Sequence, residues 1–381
     1  MFYDEYKAWR ARLSQFPAEA FAAGDVLRAL NRDRLDRLDL LALLSPAARP
    51  YLEEMAQKAH RLTVQNFGKT ISLFTPLYLA NFCSNRCAYC SFNAHNQIKR
   101  RQLSLDEVEE EARAISETGL QHILLLTGES RQKSGPEYIE ACVERLRPHF
   151  ASIGIEVYPL EEGEYRRLND AGVDAFTMFQ EAYDEDIYAS VHLAGPKRNH
   201  RYRMEAPERA CRGGIASVNI GALLGLGEWR TEVFFTALHA EYLQKHYPDV
   251  EVSISMPRLR PHVGTFQPVA SPVTDPVLVQ IILAYRLFLP RVGLTLSTRE
   301  SPELREDLLP LGITRMSAGS LTSVGGYSEN TEAGSAQFEI ADDRPVDEVV
   351  QMLRSKGYQP TFCDWVNMRE KTPALRRSTA K

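Results

Sequence analysis

Two rhythms of apolar and polar positions follow one another along the chain. Up to residue 69 the apolar positions recur at helical spacing: Leu38 to Leu44 is leucine-rich, Ser45-Pro46 can open a further helix, and Tyr51, Met55 and Leu62 repeat along it. The charges scattered between them (Arg32, Asp33, Arg34, Asp36, Arg37) read as a solvated face, so residues 1–69 are expected to form a helical extension packed on a main domain. From Thr70 short β-branched runs alternate with amphipathic segments of helix length, the pattern of βα units. Strands are predicted over Ile71–Tyr78, His122–Thr127, Ile153–Tyr158, Val173–Phe179, Ser217–Ile220, Glu251–Met256, Gly293–Ser297 and Ile313–Ser317. A helix is expected after each; that over Leu105–Thr118 has Ser104 as N-cap, Glu107 as its capping-box partner and Gly119 as its stop.

Eight such units within about 250 residues match the size of a (β/α)₈ barrel, the α/β architecture expected over residues 70–330, with an open doubly wound sheet as the alternative. Residues 331–381 are expected to form a C-terminal helix and tail packed on the barrel. Either architecture places chemistry in the loops at the carboxyl ends of the strands.

Composition narrows the possibilities. With 381 residues, 44% hydrophobic and 25% charged, the chain can bury a large core. A net charge of −5 offers no basic field for a phosphate backbone, so nucleic acid is not an expected partner. No run of roughly 18 uncharged apolar residues is present, which argues against a membrane span. Met1-Phe-Tyr-Asp-Glu lacks a basic leader, and a cytoplasmic protein is expected. Of six cysteines, Cys142, Cys211 and Cys363 are isolated and read as small buried hydrophobes, whereas Cys83, Cys87 and Cys90 crowd into eight residues.

These three thiols follow the first strand in Ala80-Asn-Phe-Cys83-Ser-Asn-Arg-Cys87-Ala-Tyr-Cys90, on what would be the active face of a barrel. One short loop can wrap a single centre with them, and thiolates are the ligands that iron–sulfur clusters select. A [4Fe–4S] cube held by three cysteines keeps one iron open for a substrate or cofactor. The competing account is a Cys₃His zinc knot completed by His95, in a zinc-stabilised binding protein without redox chemistry.

C-x₃-C-x-Tyr-C after the first strand, with Tyr89 before the last cysteine, resembles the signature of the radical S-adenosylmethionine (SAM) enzymes. The resemblance implies that Cys83, Cys87 and Cys90 hold a [4Fe–4S] cluster whose open iron chelates SAM. Reductive cleavage then gives a 5′-deoxyadenosyl radical. Leu126-Thr-Gly128-Glu129-Ser130 is similar to the turn that binds the methionine amino group in that family, and the stretch around Gly221 is similar to the segment that meets adenine.

Further segments narrow the likeness to the aromatic amino acid lyases: Gln180-Glu181-Ala-Tyr183, His192-Leu-Ala-Gly195-Pro196-Lys197, Met256-Pro257-Arg258, Ser297-Thr-Arg299-Glu300 and Ser317-Ala-Gly319-Ser320. The likeness implies that Arg299 forks the substrate carboxylate with Ser317 or Ser320 as hydrogen-bond partner. It also implies that Arg209 reaches the SAM carboxylate and that Glu181 and Tyr183 orient ribose or substrate. Competing accounts are an Arg299 pair with Glu300 or Glu303, a rim pair for Arg258, and an Arg209–Glu205 pair.

The branch that fits best is the tyrosine lyase of thiamine thiazole synthesis. It implies cleavage of the Cα–Cβ bond of L-tyrosine, after hydrogen abstraction from its amino group, to 2-iminoacetate (dehydroglycine) and p-cresol. Thiazole synthase is then the acceptor of the imine, and a flavodoxin or ferredoxin the electron donor. L-Tryptophan as substrate and hydrogenase maturation are the alternatives, the latter less expected because the tail from Gly357 to Lys381 holds only Cys363. Lys99-Arg100-Arg101 offers a basic step for an acidic donor, unless it only offsets the acidic helix start at Asp106, Glu107 and Glu109–Glu111.

Overall fold

The computed structural model describes residues 1–267, 272–329 and 333–362. Cys363 and the rest of the tail lie outside the described residues.

Eight parallel strands close into a barrel: β1 (Thr70–Ala80), β2 (His122–Thr127), β3 (Ser152–Glu156), β4 (Ala175–Glu181), β5 (Ser217–Ala222), β6 (Glu251–Ser255), β7 (Gly293–Leu296) and β8 (Arg315–Ser317). Closure comes from β1, which pairs with β2 on one side (Thr75 opposite Ile123) and with β8 on the other (Ser72 opposite Arg315). The open-sheet alternative is thereby excluded. A ninth strand, β9 (Gln359–Thr361), adds to the amino end of β1; its three residues carry too little alternation to stand out in the sequence.

The helix over Leu105–Glu117 begins with the expected reciprocal cap, in which Glu107 N donates to Ser104 Oγ at 3.3 Å and Ser104 N to Glu107 Oε2 at 2.7 Å. It ends at Gly119, whose φ of +86° is the left-handed conformation that glycine adopts without a Cβ clash. β4 runs two residues further than the pattern predicts. A register shift between Phe179 and Glu181 bends its end, and Glu181 sits at a φ of +70°, strained backbone that turns its side chain into the barrel mouth.

The N-terminal helices wrap the barrel's outer layer. Phe2 and Tyr6 are fully buried: Phe2 stacks on His239 with ring centroids 4.1 Å apart, and Tyr6 Oη donates to Tyr183 O at 2.6 Å. Tyr183 itself faces this outer layer, its hydroxyl 2.9 Å from His239 Nδ1, so it does not orient ribose or substrate as the sequence reading expected. Cys142 and Cys211 are buried, as isolated thiols should be.

After β8 the chain crosses back over the barrel mouth before Val346–Ser355, the last helix among the described residues. Residues 335–344 form a strap pinned at several points: Gln337 N donates to Thr322 O (2.9 Å), Glu339 N to Pro261 O (3.0 Å) and Ala341 N to Thr298 O (2.9 Å). Beneath it Arg305 pairs with Asp342, both fully buried, and Arg344 grips the same carboxylate at 2.7 Å.

Candidate active site

The loop after β1 carries the three cysteines, and side-chain amides hold its irregular backbone. Asn93 Nδ2 donates to Cys87 O at 3.0 Å and Asn96 Nδ2 to Cys90 O at 3.3 Å. Arg100 spends its guanidinium on four loop carbonyls, those of Asn81, Phe92, Asn93 and Asn96, at 2.6–3.3 Å. Arg101 pairs with Glu107 at the helix start. Two of the three residues in the expected docking step are thus turned to the protein's own backbone and helix, because an irregular loop needs donors for its carbonyls. Arg100→Ala should loosen the loop by on the order of 2 kcal/mol, read as faster loss of iron from the reconstituted protein.

Gly128 and Glu129 meet this loop from β2. A Cβ at Gly128 would lie 2.3 Å from Phe82 O, so only glycine lets the two backbones approach. Ser84 N donates to Glu129 O at 2.8 Å, and Asn85 Nδ2 to Glu129 Oε2 at 2.5 Å. On the far side the loop pairs with the 191–194 segment, Cys87 opposite His192. Burial pushes the His192 imidazole down to about 3, so it is neutral; Nδ1 donates to Tyr188 O (2.7 Å), and Nε2 accepts from Tyr89 Oη (2.8 Å).

Two adjoining cavities open at the mouth. One, of about 630 Å³, is lined by Cys83, Cys87 and Cys90 together with Gly128, Glu129 and Glu181. The other, of about 1020 Å³, runs into the barrel and is lined by Arg299, Ser317 and Ser320. They share Tyr78, Leu126, Glu156, Thr177 and Gln337 as a common wall.

In the first cavity Glu181 accepts from Lys197 Nζ at 2.7 Å and from Arg203 Nη2 at 3.2 Å. Burial alone would raise its carboxyl, but these two cations outweigh it and hold it below the usual carboxylate range. Burial pushes the Cys87 thiol up to about 12 and the Cys90 thiol in the same direction, so a bound cation is needed to keep them as thiolates.

Behind the second cavity Arg258 takes Glu300, one of its lining residues (3.0 Å), and Asp275 (2.7 Å), the rim pair considered for it from sequence. Arg299 is left without a carboxylate among the described residues; it lies 3.5 Å from the centre of the Phe338 ring and makes one contact to Arg258 O at 3.3 Å. Ser317 Oγ accepts from Thr298 N at 3.1 Å, whereas Ser320 Oγ is buried with no partner. An unpaired guanidinium and an orphaned hydroxyl lining the same cavity fit a small carboxylate.

Arg209, Tyr89, Ser130 and Gly221, like Tyr183, line neither cavity. Arg209 donates to Leu160 O (2.9 Å) and Tyr202 O (2.7 Å), and Glu205 pairs with Arg201 instead. The arginine that does reach the cysteine side is Arg203, on the preceding short helix. Tyr89 packs with Cys87, Val191, Leu223 and Leu226 behind the loop. Ser130 Oγ accepts from Lys133 N, and Gly221 backs onto Ser255 O, which a Cβ would approach to 2.5 Å.

Gln337 and Phe338, supplied by the strap, went unread in the sequence. Gln337 accepts from Tyr78 Oη (2.7 Å) and donates to Cys90 Sγ (3.7 Å), which ties the strap to both cavities.

A closed parallel barrel whose first strand feeds a three-thiol loop, with a glycine turn beside it and a deep cavity below, is the arrangement of a radical SAM enzyme. The comparisons agree. Residues 77–236 match the radical SAM superfamily and residues 255–359 the biotin and thiamin synthesis associated domain. The chain is 45% identical to 2-iminoacetate synthase of Escherichia coli strain K12, over 90% of this chain and 91% of that protein, and 44% identical to that of Salmonella typhimurium over the same shares. Among solved structures it superposes on HydG, a maturase of the [FeFe]-hydrogenase, from Carboxydothermus hydrogenoformans (TM-score 0.85, 33% identity, 94% of this chain and 83% of that one). The chain belongs to the family of 2-iminoacetate synthases.

Its cofactors are a [4Fe–4S] cluster and SAM, and the donor set fits them. No three His, Cys, Asp or Glu side chains among the described residues converge as one metal ion requires, and His95 is exposed. Three thiols spread around a cavity suit a multi-iron cube better than a zinc knot.

Proposed function

We propose that this chain cleaves the Cα–Cβ bond of L-tyrosine to 2-iminoacetate and p-cresol for thiamine thiazole synthesis, with cluster and SAM in the cysteine-lined cavity and the amino acid in the cavity beside it. The observation that carries this reading is the unpaired Arg299 in a cavity that shares a wall with the cysteines. When bound, the cluster and SAM supply the radical that removes hydrogen from the substrate.

The chain's own residues do the rest. Cys83, Cys87 and Cys90 ligate iron. Glu129, on the glycine turn, would pair with the SAM ammonium, and Glu181, fixed by Lys197 and Arg203, would meet its other polar groups. Arg299 and Ser320 hold the tyrosine carboxylate, and the strap closes the mouth against water. Exclusion of water matters because the imine product hydrolyses readily, which favours direct hand-over to a thiazole synthase. An acidic flavodoxin or ferredoxin supplies the electron, in the cytoplasm.

The deciding experiment is anaerobic reconstitution with iron and sulfide, then incubation with SAM, a reductant and either tyrosine or tryptophan. p-Cresol from tyrosine is expected; an indole product from tryptophan alone would move the chain to the other lyase branch. Arg299→Ala should weaken tyrosine binding by about 2–5 kcal/mol while SAM binding survives. If SAM affinity collapses and tyrosine affinity holds, the arginine serves the cofactor instead.

A further inference from the structure

Four carboxylates line the two cavities, and three are spoken for: Glu300 by Arg258, Glu129 by Asn85, Glu181 by Lys197 and Arg203. The fourth, Glu156 at the end of β3, is half-buried and has neither a hydrogen bond nor an ion pair with any described residue. It alone among them faces both cavities.

Its place suits one part of the substrate. With the amino acid's carboxylate on Arg299 and its hydrogen leaving toward the cysteine side, the amino group has to sit at the shared wall. That wall is Tyr78, Leu126, Glu156, Thr177 and Gln337. Tyr78 and Gln337 are already bonded to each other, Leu126 is apolar and Thr177 carries no charge. Glu156 is the wall residue that can pair with an ammonium group.

Resting on the tyrosine-lyase reading, we propose that the Glu156 carboxylate binds the ammonium group of the substrate and takes one proton from it, leaving the neutral amine from which hydrogen is abstracted. One N–H bond breaks heterolytically, the electron pair stays on nitrogen, and an O–H bond forms on the carboxylate; no other reactant is needed. The surroundings tune Glu156 for this exchange. Burial pushes its carboxyl up to about 7 and Glu181 on β4 acts in the same sense, while Arg299 after β7 and Arg203 and Lys197 between β4 and β5 oppose them. Tyr78 on β1, whose own hydroxyl is pushed upward by burial, stays neutral.

The test compares binding of L-tyrosine with that of 3-(4-hydroxyphenyl)propanoate, which keeps ring and carboxylate but has no amine, on the reconstituted enzyme with SAM between pH 6 and 9. The wild type should prefer tyrosine by about tenfold to a hundredfold, the size of a charged hydrogen bond. That preference should grow as pH rises through about 7 and the carboxyl ionises. Glu156→Gln should lose the preference and its pH dependence while holding the propanoate as before, and Glu156→Asp, which keeps the charge, should retain part of it. An unchanged preference in Glu156→Gln, equal weakening of both ligands, or loss of the preference in the Asp variant as complete as in Gln would overturn the proposal and leave the lyase reading standing. A wild type that binds neither ligand would overturn the lyase reading itself, and this proposal with it.

Discussion

Replacing Cys83, Cys87 or Cys90 by Ala is expected to take tyrosine cleavage to background and to abolish the SAM-perturbed [4Fe–4S] signal in electron paramagnetic resonance. Each thiol lines the cavity, and the loop that carries them has no spare sulfur: Cys142 and Cys211 are buried within the protein. A site-differentiated cube held by three thiolates tolerates the loss of none, since a second iron would then lack a protein ligand. Cys142→Ala and Cys211→Ala should keep the signal and cost only packing, on the order of 1 kcal/mol. A fourth cysteine found indispensable for the signal would mean that no iron is open to SAM. Recovery of stoichiometric zinc in place of iron would make the three thiols a structural metal site instead.

How much of this site was open to sequence reading depended on whether local chemistry or long-range closure places a residue. The cysteine loop was legible because spacing, residue type and position after a predicted strand all point to one chemistry. The Gly128-Glu129 turn was legible for the same reason, since β2 lies where the pattern predicts it, His122–Thr127. Arg209 and Arg203 show the limit. They lie six residues apart on consecutive short helices, His200–Met204 and Ala206–Arg212, and only the change of axis between these decides which guanidinium reaches the cavity. Likeness of sequence favoured Arg209, whereas the fold turns it toward the carbonyls of Leu160 and Tyr202.

Glu156 was hidden in plain alternation. In Ile153-Gly-Ile-Glu-Val157 the large apolar residues alternate with Gly154 and Glu156, which reads as a solvated face, but the opposite holds at the end of a barrel strand, where the inward positions line the site. A carboxylate on the same side as Gly154, which also lines the barrel cavity, is the signal that was available. Gln337 and Phe338 had no such signal. They lie some twenty residues beyond the end of β8, with no helix or strand among the described residues between, and nothing short of the closed fold shows that the strap lies across the mouth.

That return hangs on Asp342, and its loss is the second large effect expected. Arg305 and Asp342 pair beneath the strap with no solvent exposure on either side chain, and Arg305 also donates to Ser317 O, the backbone of a residue lining the substrate cavity. Asp342→Ala would leave a buried guanidinium without its counter-charge, which costs about 3–5 kcal/mol. The denaturant midpoint should fall accordingly. Burial raises the Asp342 carboxyl, but bonds from Arg344 and Arg305 outweigh that and hold it below the ordinary carboxylate value. Its contribution is therefore full above the ordinary carboxyl range, about pH 4, and is lost as pH falls through the depressed value, so wild type and Asp342→Ala should converge in stability in acid. The strap also carries Phe338 against Arg299 and Gln337 against Cys90. KM for tyrosine should consequently rise in Asp342→Ala at a temperature where the variant remains folded. A drop in stability with tyrosine KM and cluster content both unchanged would show that the strap only covers the barrel and takes no part in the site.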